Sequence, residues 1–83
     1  MINYKKYFKN KKITIMGLGL LGRSIAYTKF LAECGAQLTV TDLKSREMLA
    51  SSIKLLSKYR NIKFVLGEHR LIDFQNADMV IKS

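Results

Sequence analysis

One cysteine, no proline and no tryptophan stand in 83 residues, and only six carboxylates oppose fifteen lysines and arginines. A lone Cys34 closes no internal disulfide, which excludes the cross-linked scaffold that holds many secreted chains of this length. No apolar run reaches the roughly 18 residues that a bilayer-spanning helix needs. The basic start resembles the first part of a signal peptide. The apolar stretch that follows, Ile13 to Met16, is too short for such a peptide's core and has no small-residue cleavage pattern before Gly17. The sequence therefore points to a cytoplasmic protein with no membrane partner.

What is present describes one small globular domain: 48% of the residues are hydrophobic and 25% charged, too apolar for a disordered tail and too few for two domains. A domain this size buries only roughly 60 to 65% of the surface its unfolded chain exposes, so its stability is modest without a ligand, a partner or more chain. The net charge of +9 suggests nucleic acid first. Its distribution argues otherwise. Lys5, Lys6, Lys9, Lys11 and Lys12 crowd the start, and the remaining cations scatter over helix faces and loops without interleaved aromatics. Such a chain attracts polyanions only in a salt-sensitive, sequence-blind way; a phosphorylated small molecule is the better match, and no nucleic-acid partner is expected.

Tyr4, Tyr7 and Phe8 follow helical spacing and put three rings on one side of a turn. Ile13 to Met16 reads as a first strand buried on both faces, ending at Gly17. From about Leu20 to Cys34 the positions Leu21, Ile25, Phe30, Leu31 and Cys34 recur at helical spacing, and Gly35 is placed for a left-handed cap. Cys34 belongs to that inner stripe and reads as a buried apolar residue, not a nucleophile. Gln37 to Thr41 is a second strand ended by Asp42. Ser45 caps a second helix with Met48, Leu49, Ile53, Leu56 and Tyr59 on its inner stripe, broken by Asn61. Lys63 to Leu66 and Met79 to Lys82 are the third and fourth strands, with one helical turn at most between Gly67 and Ala77.

This alternation specifies an α/β, Rossmann-like doubly wound parallel sheet, and right-handed crossovers order its strands 3-2-1-4 with both helices on one face. Eleven residues are too few to cover the other face of strands apolar on both sides. The expectation is an incomplete domain, the front of a longer protein whose later strand and helix cover that face, with Tyr4, Tyr7 and Phe8 a partial cover. Residues 1–11 form a basic lead-in and residues 12–83 the nucleotide-binding domain.

Gly17-Leu18-Gly19-Leu20-Leu21-Gly22 is a G-x-G-x-x-G run lying between a strand and a helix, where it has meaning. Gly17 permits the turn, Gly19 admits a ligand to the backbone, Gly22 lets helix and strand pack closely, and free N–H groups at the helix start attract phosphate. Asp42, twenty residues on at the end of the second strand, is placed to accept a hydrogen bond from a ribose hydroxyl or a base N–H. His69, single and without a second His or Cys nearby, reads as structural or solvated, and no metal site is expected.

The run Lys12 to Ser24, then Gly35 to Asp42, then Gly67-Glu68-His69, Asp73-Phe74 and Ala77 to Ser83, resembles the amino-terminal domain of the UDP-N-acetylmuramoyl-L-alanine:D-glutamate ligases, of the Mur ligase family. The resemblance covers residues 12 to 83, and Ser83 stands where that family begins a Ser-Pro-Gly turn. It implies an ATP-dependent amide-forming ligase of peptidoglycan synthesis. Such an enzyme activates a UDP-linked muramoyl-peptide carboxylate as an acyl phosphate and adds D-glutamate, the first domain holding UDP. By position, the resemblance places backbone from Leu18 to Leu21 against the diphosphate and uracil, Asp42, Leu43 and Lys44 around the base, and Ser83 beside the phosphates. Leu21 and Lys44 stand where the family often has a small hydroxyl residue and an Arg. ATP and Mg belong to later domains of the same protein, and the G-x-x-x-x-G-K-[ST] cradle that phosphoryl transfer uses is absent, so this stretch holds no catalytic residue and no cofactor of its own. Two other classes share the glycine run: the NAD-binding half of a prephenate-type dehydrogenase, and an NAD- or ATP-sensing regulatory domain such as those governing potassium transport. Both prefer an adenine nucleotide, so base identity separates them from the ligase.

Overall fold

The computed structural model describes residues 3–19 and 23–82. Eight elements follow one another: α1 (Tyr4–Phe8), β1 (Lys12–Met16), α2 (Arg23–Glu33), β2 (Gln37–Asp42), α3 (Ala50–Leu56), β3 (Ile62–Leu66), α4 (Leu71–Gln75) and β4 (Met79–Lys82). The strands form one parallel sheet in the order β3-β2-β1-β4, the order expected from right-handed crossovers.

Period-two alternation decides what each face carries. Ile13 pairs in register with Leu38 and Met79, and Ile15 with Val40 and Ile81. Ile62 and Phe64 continue these two rows on β3. This face packs on Ile25, Leu31 and Ala32 of α2 and on Leu49 and Leu56 at α3, and it is the hydrophobic core. The opposite face carries Lys63, Thr39, Thr14 and Val80 in one row and Val65, Thr41, Met16 and Lys82 in the next. β1 is buried on both faces as expected, Thr14 with Ile13 and Ile15. The second face of the sheet, however, is not uniformly apolar: threonines and lysines share it with Met16, Val65 and Val80, a mixture that tolerates lighter cover than an aliphatic face does. α4 lies on it, with the Thr14 hydroxyl donating to the Asp73 carbonyl.

The opening rings do not cover that second face. Tyr4 and Phe8 meet Phe30 of α2 edge to face, with centroids 6.4 and 6.1 Å apart, so α1 sits on the helical side of the sheet. Phe30 is correspondingly 46% exposed and no part of the core. Met48 is 60% exposed as well. The Ser45 hydroxyl does accept from the Met48 N–H, but the chain makes a turn there and α3 begins only at Ala50, which rotates Met48 off the inner stripe. Tyr59 lies beyond the end of α3 and donates to Glu33.

Gly35, at φ 86°, closes α2 as expected: its N–H donates to the Ala32 carbonyl and that of Ala36 to the Leu31 carbonyl, the paired bonds of a left-handed C-terminal cap. The Asn61 amide adds donors to the carbonyls of Ala32 (3.0 Å) and Ala36 (2.7 Å). Asn61 therefore ties the entry of β3 to the end of α2, well after α3 has finished. Cys34 is buried at this junction.

Among the described residues, the Thr28 hydroxyl of α2 is fully buried without a hydrogen-bond partner. A buried hydroxyl left unpaired costs about 1 to 3 kcal/mol, and valine has the same shape. Thr28→Val is expected to raise stability by about 1 kcal/mol, read as a higher urea midpoint with unchanged slope; a lower midpoint would show that the hydroxyl is satisfied in solution.

Candidate functional site

The carboxyl ends of β1 and β2 meet at one aspartate. β1 ends at Met16, and the chain turns through Gly17 (φ 98°) and Gly19 (φ 73°), left-handed conformations that glycine adopts without strain. The Gly17 N–H donates to the Thr41 carbonyl at 2.7 Å. Leu18 drops its side chain into the core, which turns the backbone N–H groups of Leu18 and Gly19 toward Asp42 Oδ2, at 2.9 and 3.2 Å. Asp42 Oδ1 accepts the Lys44 N–H at 2.8 Å, with Lys44 Nζ at 4.0 Å. The Asp42 carbonyl accepts the Gly67 N–H after β3, and the Ser52 hydroxyl of α3 reaches the Gly19 carbonyl. One residue, 5% exposed, thus joins the turns that follow three strands.

Burial by itself pushes the Asp42 carboxyl up, but the N–H donors of Lys44, Gly19 and Leu18, with the Lys44 charge, outweigh it and hold the group below its ordinary 3.8. It is a carboxylate at neutral pH, and both its oxygens already accept from the chain's own backbone.

A cleft of about 320 Å³ opens beside this aspartate, lined by Met16, Gly17, Gly19, Asp42, Leu43, Lys44, His69 and Lys82. It sits at the carboxyl ends of parallel strands, where open α/β sheets bind ligands. Leu43 and Lys44 are exposed at its rim. Gly17, Leu18, Gly19, Asp42, Leu43 and Lys44 therefore gather as the sequence suggests, although Leu18 contributes only its backbone. Leu20, Leu21, Gly22 and Ser83 lie outside the described residues. Two groups in the cleft were not singled out as site residues. His69 Nδ1 lies 2.8 Å from the Thr41 hydroxyl, and its ring packs edge to face against Phe74. Lys82 arrives because β4 pairs with β1, putting it level with Met16. The signal that could have found them was topological: in the order 3-2-1-4 the residues just after β3 and at the end of β4 flank the glycine turn.

A larger cavity, about 400 Å³, lies toward the opposite ends of the strands between α4 and the threonine face, lined in part by Thr14, Thr39, Lys63, Ile72 and Asp73. It holds no glycine turn; Lys12, Arg60 and Lys63 also line it, and its one carboxylate, Asp73, is paired with Arg70. Among the described residues no group of three His, Cys, Asp or Glu is placed to hold a metal ion, and no helix is long and apolar enough to cross a membrane.

No family model matches the chain. Individual relatives do. Over 75 residues, 90% of this chain, it is 53% identical to the UDP-N-acetylmuramoylalanine–D-glutamate ligase of Treponema pallidum (strain Nichols), of which that stretch is 14%. Proteins of the same name from Borreliella burgdorferi (strain ZS7) and Roseiflexus sp. (strain RS-1) are 49% and 42% identical, over 90% and 88% of this chain and 17% and 16% of their own lengths. The stretch matched is their amino-terminal portion. The chain thus spans about one-sixth of the length of the curated relatives it resembles.

Proposed function

We infer that this chain, similar over nine-tenths of its length to the amino-terminal portion of UDP-N-acetylmuramoylalanine–D-glutamate ligases, is the nucleotide-holding front of such a ligase, serving peptidoglycan synthesis. Residues 12–83 bind the UDP part of a UDP-linked muramoyl substrate. Amide formation with D-glutamate, with its ATP and Mg, takes place in the remaining domains of the same protein.

The observation that carries this reading is the glycine turn held against Asp42 beside a cleft with three nitrogen bases, Lys44, His69 and Lys82, on its wall. Lysines favour a diphosphate, and an anion is drawn to N–H groups where the turn leads into α2. A carboxylate has about four acceptor positions. Asp42 Oδ2 takes two backbone donors and Oδ1 one, so Oδ1 keeps a position for the N–H of uracil, between Leu43 and Lys44. The resemblance assigns backbone from Leu18 to Leu21 to the diphosphate and Ser83, which follows Lys82 in sequence, to the phosphates; Leu20, Leu21 and Ser83 lie outside the described residues.

Titration of the chain with UDP and, in parallel, with NADH tests this. UDP is expected to shift the amide signals of Gly17, Gly19, Asp42 and Lys44 with a dissociation constant of roughly tens of micromolar to millimolar, since only part of the substrate touches this domain. Shifts with NADH alone would replace the ligase reading with a dehydrogenase or sensor, for which Asp42 would hold an adenosine ribose.

A further inference from the structure

We propose that the amino-terminal lead-in and the exposed edge of α2 form a docking surface for an anionic lipid bilayer, at the end of the domain away from the cleft. The charge of the chain is uneven in a way its total conceals. Residues 1–32 contain Lys5, Lys6, Lys9, Lys11, Lys12, Arg23 and Lys29 and not one carboxylate; all six acids lie between Glu33 and Asp78. Lys5, Lys6 and Lys9 lie on α1 or at its end among four aromatic rings, and Lys11 Nζ stands 5.4 Å from the Tyr7 ring centroid, while Lys12 lines the cavity on the threonine face. Tyr7 meets Phe8 at 4.9 Å, and Phe30 meets Tyr4 and Phe8. Tyr4 and Tyr7 are 56% and 55% exposed, so with Phe30 they present an exposed aromatic patch beside the lysines of α1 and Lys11.

Among the described residues no carboxylate forms an ion pair with Lys5, Lys6, Lys9 or Lys11. Glu33 accepts from the Tyr59 hydroxyl, and Asp78 accepts from the Lys12 backbone N–H, leaving the Lys12 side chain exposed. The patch is firmly placed: the Asn3 side chain caps α1, and the Asn10 N–H donates to the Gly35 carbonyl. Amphipathic rings flanked by lysines suit the headgroup region of a membrane, the rings entering the boundary while the ammonium groups meet anionic lipid. Single-stranded nucleic acid fits less well, because these rings pack edge to face on one another at interplanar angles of 69° to 88° and offer no open stacking platform. Since α1 precedes β1, the patch lies at the strands' amino ends and the glycine turn at their carboxyl ends, roughly 16 Å apart along five strand residues. A domain seated on lipid this way keeps its cleft open to solvent. The expectation of no membrane partner, drawn from the lack of a spanning segment, does not bear on a surface of this kind.

The test is co-sedimentation of the chain with vesicles of phosphatidylcholine alone or mixed with phosphatidylglycerol, at near-physiological salt, with a single-stranded RNA as competitor. Binding is expected only to the mixed vesicles. The triple substitution Lys5→Gln, Lys6→Gln, Lys9→Gln should weaken it on the order of a hundredfold, and Tyr4→Ser with Tyr7→Ser should also weaken it. Removing the same charge elsewhere, with Lys54→Gln, Lys58→Gln and Lys63→Gln, should leave most of it. Thermal melts of each variant confirm that the fold is kept. No binding to mixed vesicles, equal loss in both triple variants, indifference to the tyrosine changes, or displacement from vesicles by RNA would each overturn the proposal.

Discussion

Replacing Asp42 by alanine is expected to lower stability by about 3 kcal/mol and to abolish detectable UDP binding. Three backbone N–H groups would lose a charged acceptor in a site only 5% exposed, and a hydrogen bond to a charged partner contributes about 1.5 to 3 kcal/mol. The loss also has a pH signature. Folding depresses the carboxyl below 3.8, so as acid is added the unfolded chain takes up its proton first. The stabilisation is whole above about pH 4 and disappears as pH falls through the folded-state value. Urea unfolding of wild type and Asp42→Ala across that range should therefore show curves that converge toward acid. Parallel curves would mean that the aspartate contributes by shape and not by charge. Asp42→Asn, which keeps one oxygen acceptor, should fall between them.

Ile15→Ala is the largest change expected in the core. Ile15 lies on the central strand, fully buried, between Val40 and Ile81. Cutting a buried isoleucine to alanine costs about 2 to 5 kcal/mol, against a total of roughly 4 to 12 kcal/mol for a domain of this length. Much of the population should be unfolded at body temperature, seen as lost dispersion of amide signals; a midpoint close to wild type would mean that the sheet closes over the gap.

The strands, their order and the glycine turn were legible because each rests on local chemistry: β-branched runs at Ile13, Val40 and Val65, and glycines where the backbone turns left-handed. Chain order did the rest, since crossover handedness leaves few arrangements. Three things were hidden, each for a physical reason. Threonine is β-branched like valine and isoleucine, so Thr14, Thr39 and Thr41 strengthen a strand without revealing that their face is hydroxyl-bearing. The rings of Tyr4 and Phe8 fit any apolar surface, and only the tertiary meeting with Phe30 assigns them to α2. Asp42 in sequence looks like a group held out to a ligand. Its first partners prove to be the Leu18 and Gly19 amides, because Leu18, an apolar residue inside the glycine run, is pulled into the core and brings the turn with it.

Placing β1 at the centre of a parallel sheet also has a consequence in time. Its ladder to β2 joins residues about 25 apart, but its ladder to β4 joins Ile13 to Met79, 66 positions later. As the chain leaves the ribosome, the half built from β1, β2 and β3 forms with one flank of its middle strand still unpaired. That flank stays open until β4 emerges, and pairings so distant in sequence form slowly. The longest-lived hazard in the birth of this domain is thus the bare edge of β1, and the strand that ends it also brings Lys82 to the cleft.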